Sequence, residues 1–568
     1  MLITSSPGRS ALLVKTSRSV VALALMSIAI ANLAMALIAH PPTAIIATIP
    51  DFNSLGWGRD GVVVTGALTL VMSLALARGK RHAWVIAVAL MTCLLISSQA
   101  GPPRATHISH VVVIGLGMLV ALVVLAPLFP TRSDPRALKR GYLAIAVTVA
   151  ALTMLQIIHR VWDPEISPLP DELRSLALSA LRVILFVFLT YGLIEALRPV
   201  LRVSRPRRTE RVQAIERIRQ YATRATDYFA TADEMNYFWS KSGESFLSYR
   251  LLRGVALALG DPIGPAREHT ALLRAFDAYA RRQDWVAAVY LAGPACRQSA
   301  SRIGMHAYKV GEEAVIETER FTTAGKAGAP VRHAMTRARK DGVTVRVWQG
   351  EQMPHEVFAG MLAVSQAWLN ERGHTTQMGF SAGRFPADWS PDLLTIVAFD
   401  ASGRVCAFQT WTPLFAGSGW ALDVMRRAPS APPGVTELLI AETIAGAKAQ
   451  GSVRMSLGLA PLAGLDASAH EGAPCSASCD ESPTPDRAAL SRLERGVGFL
   501  HQRRLLLGDY SSLYHFKAKW RPIWEPRYLL VSDRAALPQA LSALMYAQGY
   551  RWWRIIADPI KAFRGRVA

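Results

Sequence analysis

Cysteine is scarce in this sequence. Five residues, Cys93, Cys296, Cys406, Cys475 and Cys479, are spread over 568 positions and form at most one C-x3-C pair. That spacing excludes a disulfide-stapled secreted scaffold and argues against a zinc module. Charge is also sparse at 18% of residues, and negative charge is the scarcer sign: 42 Asp plus Glu against 63 Lys plus Arg leave a net +21. A disordered chain is excluded by the 51% hydrophobic content, and an ordinary soluble enzyme by a mean hydropathy of +0.21 combined with a pI of about 10.1. Such a combination implies two unlike parts, one apolar and one basic.

The apolar part comes first. Six stretches, Val20–Ala39, Gly61–Ala77, Ala83–Ser98, His110–Phe129, Gly141–Ile158 and Leu173–Glu195, fill the first two hundred positions. Most reach or approach the ~20 residues a helix needs to cross a bilayer. An α-helical transmembrane bundle of six spans is therefore expected over residues 1–197. A cleaved signal peptide does not fit the first stretch, because no small-residue cleavage site follows it and five more stretches come after. Loop charges orient the bundle. Arg9, Lys15 and Arg18, then Arg78, Lys80 and Arg81, then Arg132, Arg136, Lys139 and Arg140, and finally Arg198 to Arg211 alternate with loops that hold one Arg each, Arg59, Arg104 or Arg160. Basic loops stay in the cytoplasm, so both termini and the C-terminal region are expected there, on the inner face of a cytoplasmic membrane. Arg182 lies near the middle of the last stretch, where a charge either serves function, here a lipid phosphate, or makes a contact inside the bundle.

A basic linker at 198–212 leads into alternating strand-like and helix-like segments, read as an α/β (α+β) domain. Its first round, 213–350, holds a strand pair at Phe246–Leu259, a helix at Glu268–Arg282 and a strand at Trp285–Leu291. A second round, 351–568, holds a helix at Pro354–Arg372, strands at Leu393–Phe399, Arg404–Thr412 and Trp420–Met425, a helix at Thr436–Gln450 and a strand at Val453–Leu459. Two rounds of similar size imply a duplicated fold. A Ser-, Pro-, Ala- and Gly-rich insert at about 463–488 reads as a mobile surface segment; Cys475, Cys479 and His470 are too few ligands for a metal, so none is expected.

Several segments of the basic part, taken together, resemble the C-terminal synthase domain of the phosphatidylglycerol lysyltransferase family. They are Phe238-Trp239-Ser240; Tyr249 with Leu259-Gly260-Asp261-Pro262-Ile263-Gly264; Gly311-Glu312-Glu313-Ala314; Trp368-Leu369; Gly379-Phe380-Ser381 with Gly383 and Phe385; Asp423-Val424-Met425-Arg426; Leu457-Gly458 with Ala460-Pro461-Leu462; and Phe516-Lys517-Ala518-Lys519-Trp520 leading to Trp524-Glu525-Pro526-Arg527-Tyr528. The pieces run in family order. The resemblance implies two tandem GNAT-like acyltransferase folds and transfer of an amino acid from aminoacyl-tRNA to the hydroxyl of phosphatidylglycerol, with no cofactor beyond the charged tRNA as co-substrate. It has departures: Gln377 and Met378 stand where the family usually has a Glu, and Thr436 and Glu437 where it has an Asp. With six spans a complete flippase bundle is not expected.

An aminoacyl ester is already activated, so transfer needs only a polar pocket that positions a hydroxyl, removes its proton and stabilises the oxyanion. Asp423 and Arg426 are the candidate catalytic pair, with Arg427 beside them. They end a strand just before a helix that starts near Gly434, a turn suited to the terminal phosphates of tRNA; a purely structural ion pair is the other reading. Coenzyme A is disfavoured, because Arg339–Gly342 and Arg495–Gly498 continue with Thr344 and Leu500 where its loop needs Gly or Ala. Lys517, Lys519, Glu525 and Arg527, interleaved with aromatics, suit a nucleic-acid 3′ tail or a half-buried strand edge. Glu312 and Glu313 suit an amino group or a turn cap. On a short helix from Pro330, His333, Arg337 and Lys340 share one face, with Arg332 and Arg339 beside it, which fits tRNA backbone contact as well as a solvated face. Self-association, another lipid or peptide acceptor, and a non-enzymatic transport or scaffold protein remain open alternatives. A reporter active only in the cytoplasm should work when fused after Ala568 and fail when inserted near Pro164; the reverse pattern overturns the orientation drawn from loop charge.

Overall fold

The computed structural model describes residues 16–27, 29–30, 34, 69–99, 108–131, 133–161, 171–197, 203–349, 353–371, 377, 379–387, 389–464 and 510–549. The chain divides into two compact units, Met1–Arg202 with Ala278–Trp285, and Val203–Asp277 with Val286–Ala568. In the first, helices Arg81–Gln99, Ile108–Val124, Pro135–Val161 and Asp171–Ala196 overlie the last four apolar stretches. The first two stretches are described only in part, with helix at 20–27 and at 69–77. Among the described residues no helix is long and apolar enough to cross a membrane. Gly141 and Gly192 let the third and fourth of these helices meet backbone to backbone, since a Cβ on Gly141 would collide with the Gly192 carbonyl. Arg182 lies on the helix Asp171–Ala196, but its side chain is outside the described set.

The expected linker is partly structured. A helix, Arg208–Tyr221, begins inside it, capped by Glu210, whose carboxylate accepts from Arg207 N at 2.9 Å, and anchored by buried Ala214 and Ile218. This capping, with apolar residues one turn apart, is what ends the linker early.

The second unit is α/β and is built on one eleven-stranded sheet in the order β1-β2-β3-β4-β11-β5-β10-β9-β8-β7-β6. Its strands are β1 (Asn236–Trp239), β2 (Phe246–Leu252), β3 (Val255–Leu259), β4 (Val286–Ala292), β5 (His306–Glu317), β6 (Thr344–Gln349), β7 (Leu394–Phe399), β8 (Val405–Leu414), β9 (Gly419–Arg427), β10 (Arg454–Pro461) and β11 (Ile523–Val531). From either edge inward the sheet follows one scheme: antiparallel strands, then a parallel pair, β3 with β4 or β9 with β10, then an antiparallel step. At the join the rounds exchange strands. β5, from the first round, lies beside β10, and β11, from the second, lies between β4 and β5. β6 precedes position 350 yet pairs with β7 at the far edge of the second round. β1, β5 and β6 have no counterpart among the expected elements.

Each face of the sheet is covered. Helices Ala329–Lys340 and Val435–Ala449 bury Val331, Ala338, Leu438 and Ile444 with Ile396 and Trp411. On the other face, helix His355–Glu371 buries Met361 and Val364 with Phe385 and Phe408, while helix Leu537–Ala547 buries Leu537 and Leu544 with Leu257, Tyr290 and Leu529. A polar strip remains between these last two helices.

β9 and β10 pair only from Gly419↔Arg454 to Ala421↔Ser456. Beyond that point β9 continues along β8, while β10 bulges between Ser456 and Leu459, at Gly458 with φ +77°, and continues along β5. The two strands therefore part, leaving a gap. A Cβ on Gly419 would collide with the Arg454 carbonyl, so only glycine allows the short pairing that sets where the gap opens. Gly419→Ala should lower unfolding stability by about 3 kcal/mol or more, read as a shifted denaturation midpoint; an unchanged midpoint would show that this junction is not needed.

Candidate active site at the parting of two strands

Residues three apart on a regular strand point to opposite faces. Asp423 and Arg426 share a face because β9 carries one extra residue between Leu422 and Met425, opposite Trp411 and Gln409. This bulge re-aims side chains and is fixed by Val424 N, which donates to Thr410 Oγ1 at 3.2 Å. Arg426 is 6% exposed. Its guanidinium donates to Ser365 Oγ and to Gln377 Oε1, the latter at 2.6 Å, and lies 5.2 Å from the Trp368 ring centre. Burial lowers its pKa to about 10, with Asp423 opposing the shift. Asp423 Oδ1 accepts from Gly383 N at 2.6 Å, and any Cβ at position 383 would strike the carboxylate.

The loop that supplies these contacts is pinned to both rounds. Gln377 brackets it, accepting from Phe385 N at 2.9 Å and donating to Phe385 O at 2.6 Å. Phe380, at φ +69°, stacks on Tyr290 of the first round, whereas Phe385 packs 4.8 Å from Phe408 of the second.

Across β10, β5 and β11 runs an ionic ladder whose centre, Glu313 and Arg527, is buried. Arg527, 3% exposed, donates to Glu313 Oε2 at 2.7 Å through Nε and 2.6 Å through Nη2. It also meets Glu525 at 2.9 Å; Arg454 holds the other Glu525 oxygen at 2.5 Å, and Ser456 donates to Glu313 Oε1 at 2.5 Å. Burial alone would raise the pKa of Glu313, but Arg527 and Ser456 more than offset it and hold the carboxyl below its usual range. Removing one partner would strand the other's charge in a dry environment.

Lys517 enters the gap from the helix Tyr510–Ala518. It is 5% exposed, and Nζ donates to Leu459 O at 2.7 Å. A Cβ built on Gly458 would lie 3.7 Å from this Nζ and 3.8 Å from Leu422 O, so the amine and the carbonyl just before Asp423 both border Gly458. Burial lowers its pKa to about 7, opposed by Glu313.

The profile of the family described as phosphatidylglycerol lysyltransferase, C-terminal, matches residues 215–531. The chain belongs to this family. It is 31% identical over 326 residues to a lysylphosphatidylglycerol biosynthesis bifunctional protein of Mycobacterium avium, a match covering 57% of this chain and 26% of that protein. A protein of the same name from Nocardia farcinica is 28% identical over 529 residues, covering 86% of this chain and 44% of its own length. The chain thus spans less than half the length of these curated relatives. The solved structure of L-PGS from Bacillus licheniformis aligns with a TM-score of 0.48 at 22% identity, covering 61% of this chain and 99% of that one.

Within this family member the expected site residues separate into groups. Glu313, Glu525 and Arg527 form the ladder, with Lys517 in the gap beside Glu313, while Asp423 and Arg426 form a second group on β9 with Gly383, Ser365 and Gln377. Glu312 follows strand alternation to the other face and pairs with Lys309 at 2.7 Å. Arg427, next to Arg426, is exposed at the strand end, and Lys519 reaches Glu437 at 3.3 Å. His333, Arg337 and Lys340 are exposed on their helix, but Arg332 is turned inward to Thr323 O and Gly325 O, and Arg339 pairs with Glu442. The expected convergence of Arg426 with a helix N-terminus is corrected. The bulge sends Arg426 to one face while the helix starting at Val435 packs on the other, its Gly434 against the Ala334 carbonyl. Ser365, Arg454 and Ser456 were not anticipated; Ser456 and Arg454 carry only a strand-parity signal with Gly458, and Ser365 carries none.

Lys517 makes stability depend on pH. Its unfolded amine titrates near 10.5 and its folded amine near 7, so the unfolded chain holds the extra proton between those values and stability rises with pH across that window. Lys517→Met should flatten this rise in denaturation measured from pH 7 to 10; an unaltered slope would place the depressed amine elsewhere.

Proposed function

We propose that this chain is a multi-pass membrane aminoacyltransferase that moves an amino acid from aminoacyl-tRNA to the hydroxyl of phosphatidylglycerol, its α/β domain in the cytoplasm. Family membership supports the reaction class. The observation that carries the site is the gap between β9 and β10, with Asp423 on β9 at its edge and the buried amine of Lys517 beside Gly458 of β10. Each round of the sheet is read as GNAT-like, with the second round's parallel pair housing the chemistry. The six apolar stretches and the alternation of basic loops support the membrane unit, and Arg182 is proposed to meet lipid phosphate there.

Asp423 is assigned to the substrate, holding the aminoacyl end or the attacking hydroxyl. Arg426 is a positioning residue, because its guanidinium donates to Ser365 and Gln377 and thereby holds the loop whose Gly383 fixes Asp423. The Glu313–Arg527 ladder keeps the floor of the site in register across the exchanged strands. Exposed His333, Arg337 and Lys340 suit the tRNA backbone, with a salt-sensitive contribution to binding. The charged tRNA supplies all the activation the ester transfer needs, so no further cofactor is assigned.

Purified protein in phosphatidylglycerol vesicles, given radiolabelled aminoacyl-tRNA, should move label into the lipid fraction. Asp423→Asn and Arg426→Ala should each lower the rate about a hundredfold or more, and the double variant should be little worse than either, since both act through one constellation. No transfer from any charged tRNA would instead support a scaffold role, and a folded double variant with normal transfer would move the site.

A further inference from the structure

We propose that Lys517 is the proton acceptor of the transfer reaction, a catalytic residue that works as a neutral amine held in the gap between β9 and β10. This rests on the aminoacyl-transfer reading above and goes beyond it, because the ladder and Asp423 alone leave open what takes the hydroxyl proton.

Three observations bear on it. Position comes first: the gap is the place where β9 and β10 cease to pair, and Lys517 Nζ enters it at Gly458, which the carbonyl before Asp423 also borders. Fixation comes second, since the single bond from Nζ to Leu459 O at 2.7 Å aims the amine while leaving its lone pair unspent in the neutral form. The third is elimination among the surrounding groups. From β5 comes Glu313, locked to Arg527 and Ser456; from β11 come Arg527 and Glu525, locked to each other and to Arg454 of β10. β9 supplies Asp423, whose Oδ1 accepts from Gly383 N. On the lysine's own helix Tyr514 is held above its usual range by burial, with Glu312 adding to the shift, and His515 is exposed. The depressed amine, titrating at about 7, matches the requirement that a general base be free of its proton near neutrality and still basic.

The step balances without any further reagent. As the lipid hydroxyl oxygen bonds to the aminoacyl carbonyl carbon, its proton passes to Lys517 Nζ. When the tetrahedral intermediate collapses, the bond to the tRNA ribose oxygen breaks, the electron pair leaves with that oxygen, and the ammonium returns the proton to it. Lys517 ends as it began.

The test uses the full chain in phosphatidylglycerol vesicles. Lys517→Arg keeps a cation but cannot act as a base near pH 7; it should lose at least a hundredfold in transfer while binding charged tRNA within about threefold of the unaltered protein. Lys517→Ala should be inactive and partly rescued by small primary amines, with a pH limb that follows the amine added, whereas the unaltered protein shows a limb near 7. The proposal is overturned if Lys517→Arg transfers within tenfold of the unaltered protein, or if the folded Lys517→Ala variant is not rescued. If the unaltered protein transfers nothing, the aminoacyl-transfer reading falls and this proposal with it; if it transfers and only the lysine results fail, that reading stands alone.

Discussion

The separation of β9 from β10 after Ser456 is the constraint on which the rest of the domain depends. Two parallel strands that stay paired leave no room between them, and two that never meet have no fixed spacing. Three paired positions, made possible by Gly419, set the spacing, and two bulges on either side of the gap do the rest. The β9 bulge brings Asp423 and Arg426 to one face. The β10 bulge, at Gly458, leaves space for the Lys517 amine beside a backbone that carries no side chain.

Separated strands cost sheet hydrogen bonds, and the surrounding structure compensates. The exchange of β5 and β11 between the rounds places the Glu313–Arg527 pair next to the gap, where removing either partner leaves the other's charge buried and uncompensated. The loop that carries Gly383 is held by Phe380 in one round's core and Phe385 in the other's, so it cannot follow one round without straining its contacts to the second. The same ladder supplies the one carboxylate, Glu313, that opposes the lysine's depressed pKa.

Much of this was legible in the sequence. The strand pair ending at Leu259, the helix after Glu268, and the run from Leu393 to Leu459 carry plain periodicity, and the structure places elements there within a few residues. β5 was not legible, because its Gly-Glu-Glu centre reads as a turn until a partner strand buries it. Asp423, Arg426, Glu313, Lys517, Glu525 and Arg527 stood out as chemistry-bearing residues, and the structure gathers them in two groups, Asp423 with Arg426 on β9, and Glu313, Glu525 and Arg527 beside Lys517. Their relation to one another did not stand out: alternation on an unbroken strand puts Asp423 and Arg426 on opposite faces, and only the bulge, set by pairing with β8, reverses that. For the same reason Glu312 and Glu313 looked equivalent, although one is bound into the ladder and the other faces away. Burial, which makes Lys517 a base candidate rather than a phosphate contact, depends on strands far apart in sequence.

The central claim is that the substrate's reacting carbonyl sits in the gap between β9 and β10. A structure of the protein with a non-hydrolysable aminoacyl-adenosine amide tests it most directly. The account predicts the amide carbonyl between Asp423 and Lys517 Nζ, beside Gly458. Density for the analogue on the opposite sheet face, near Glu312 and Lys309, would contradict it.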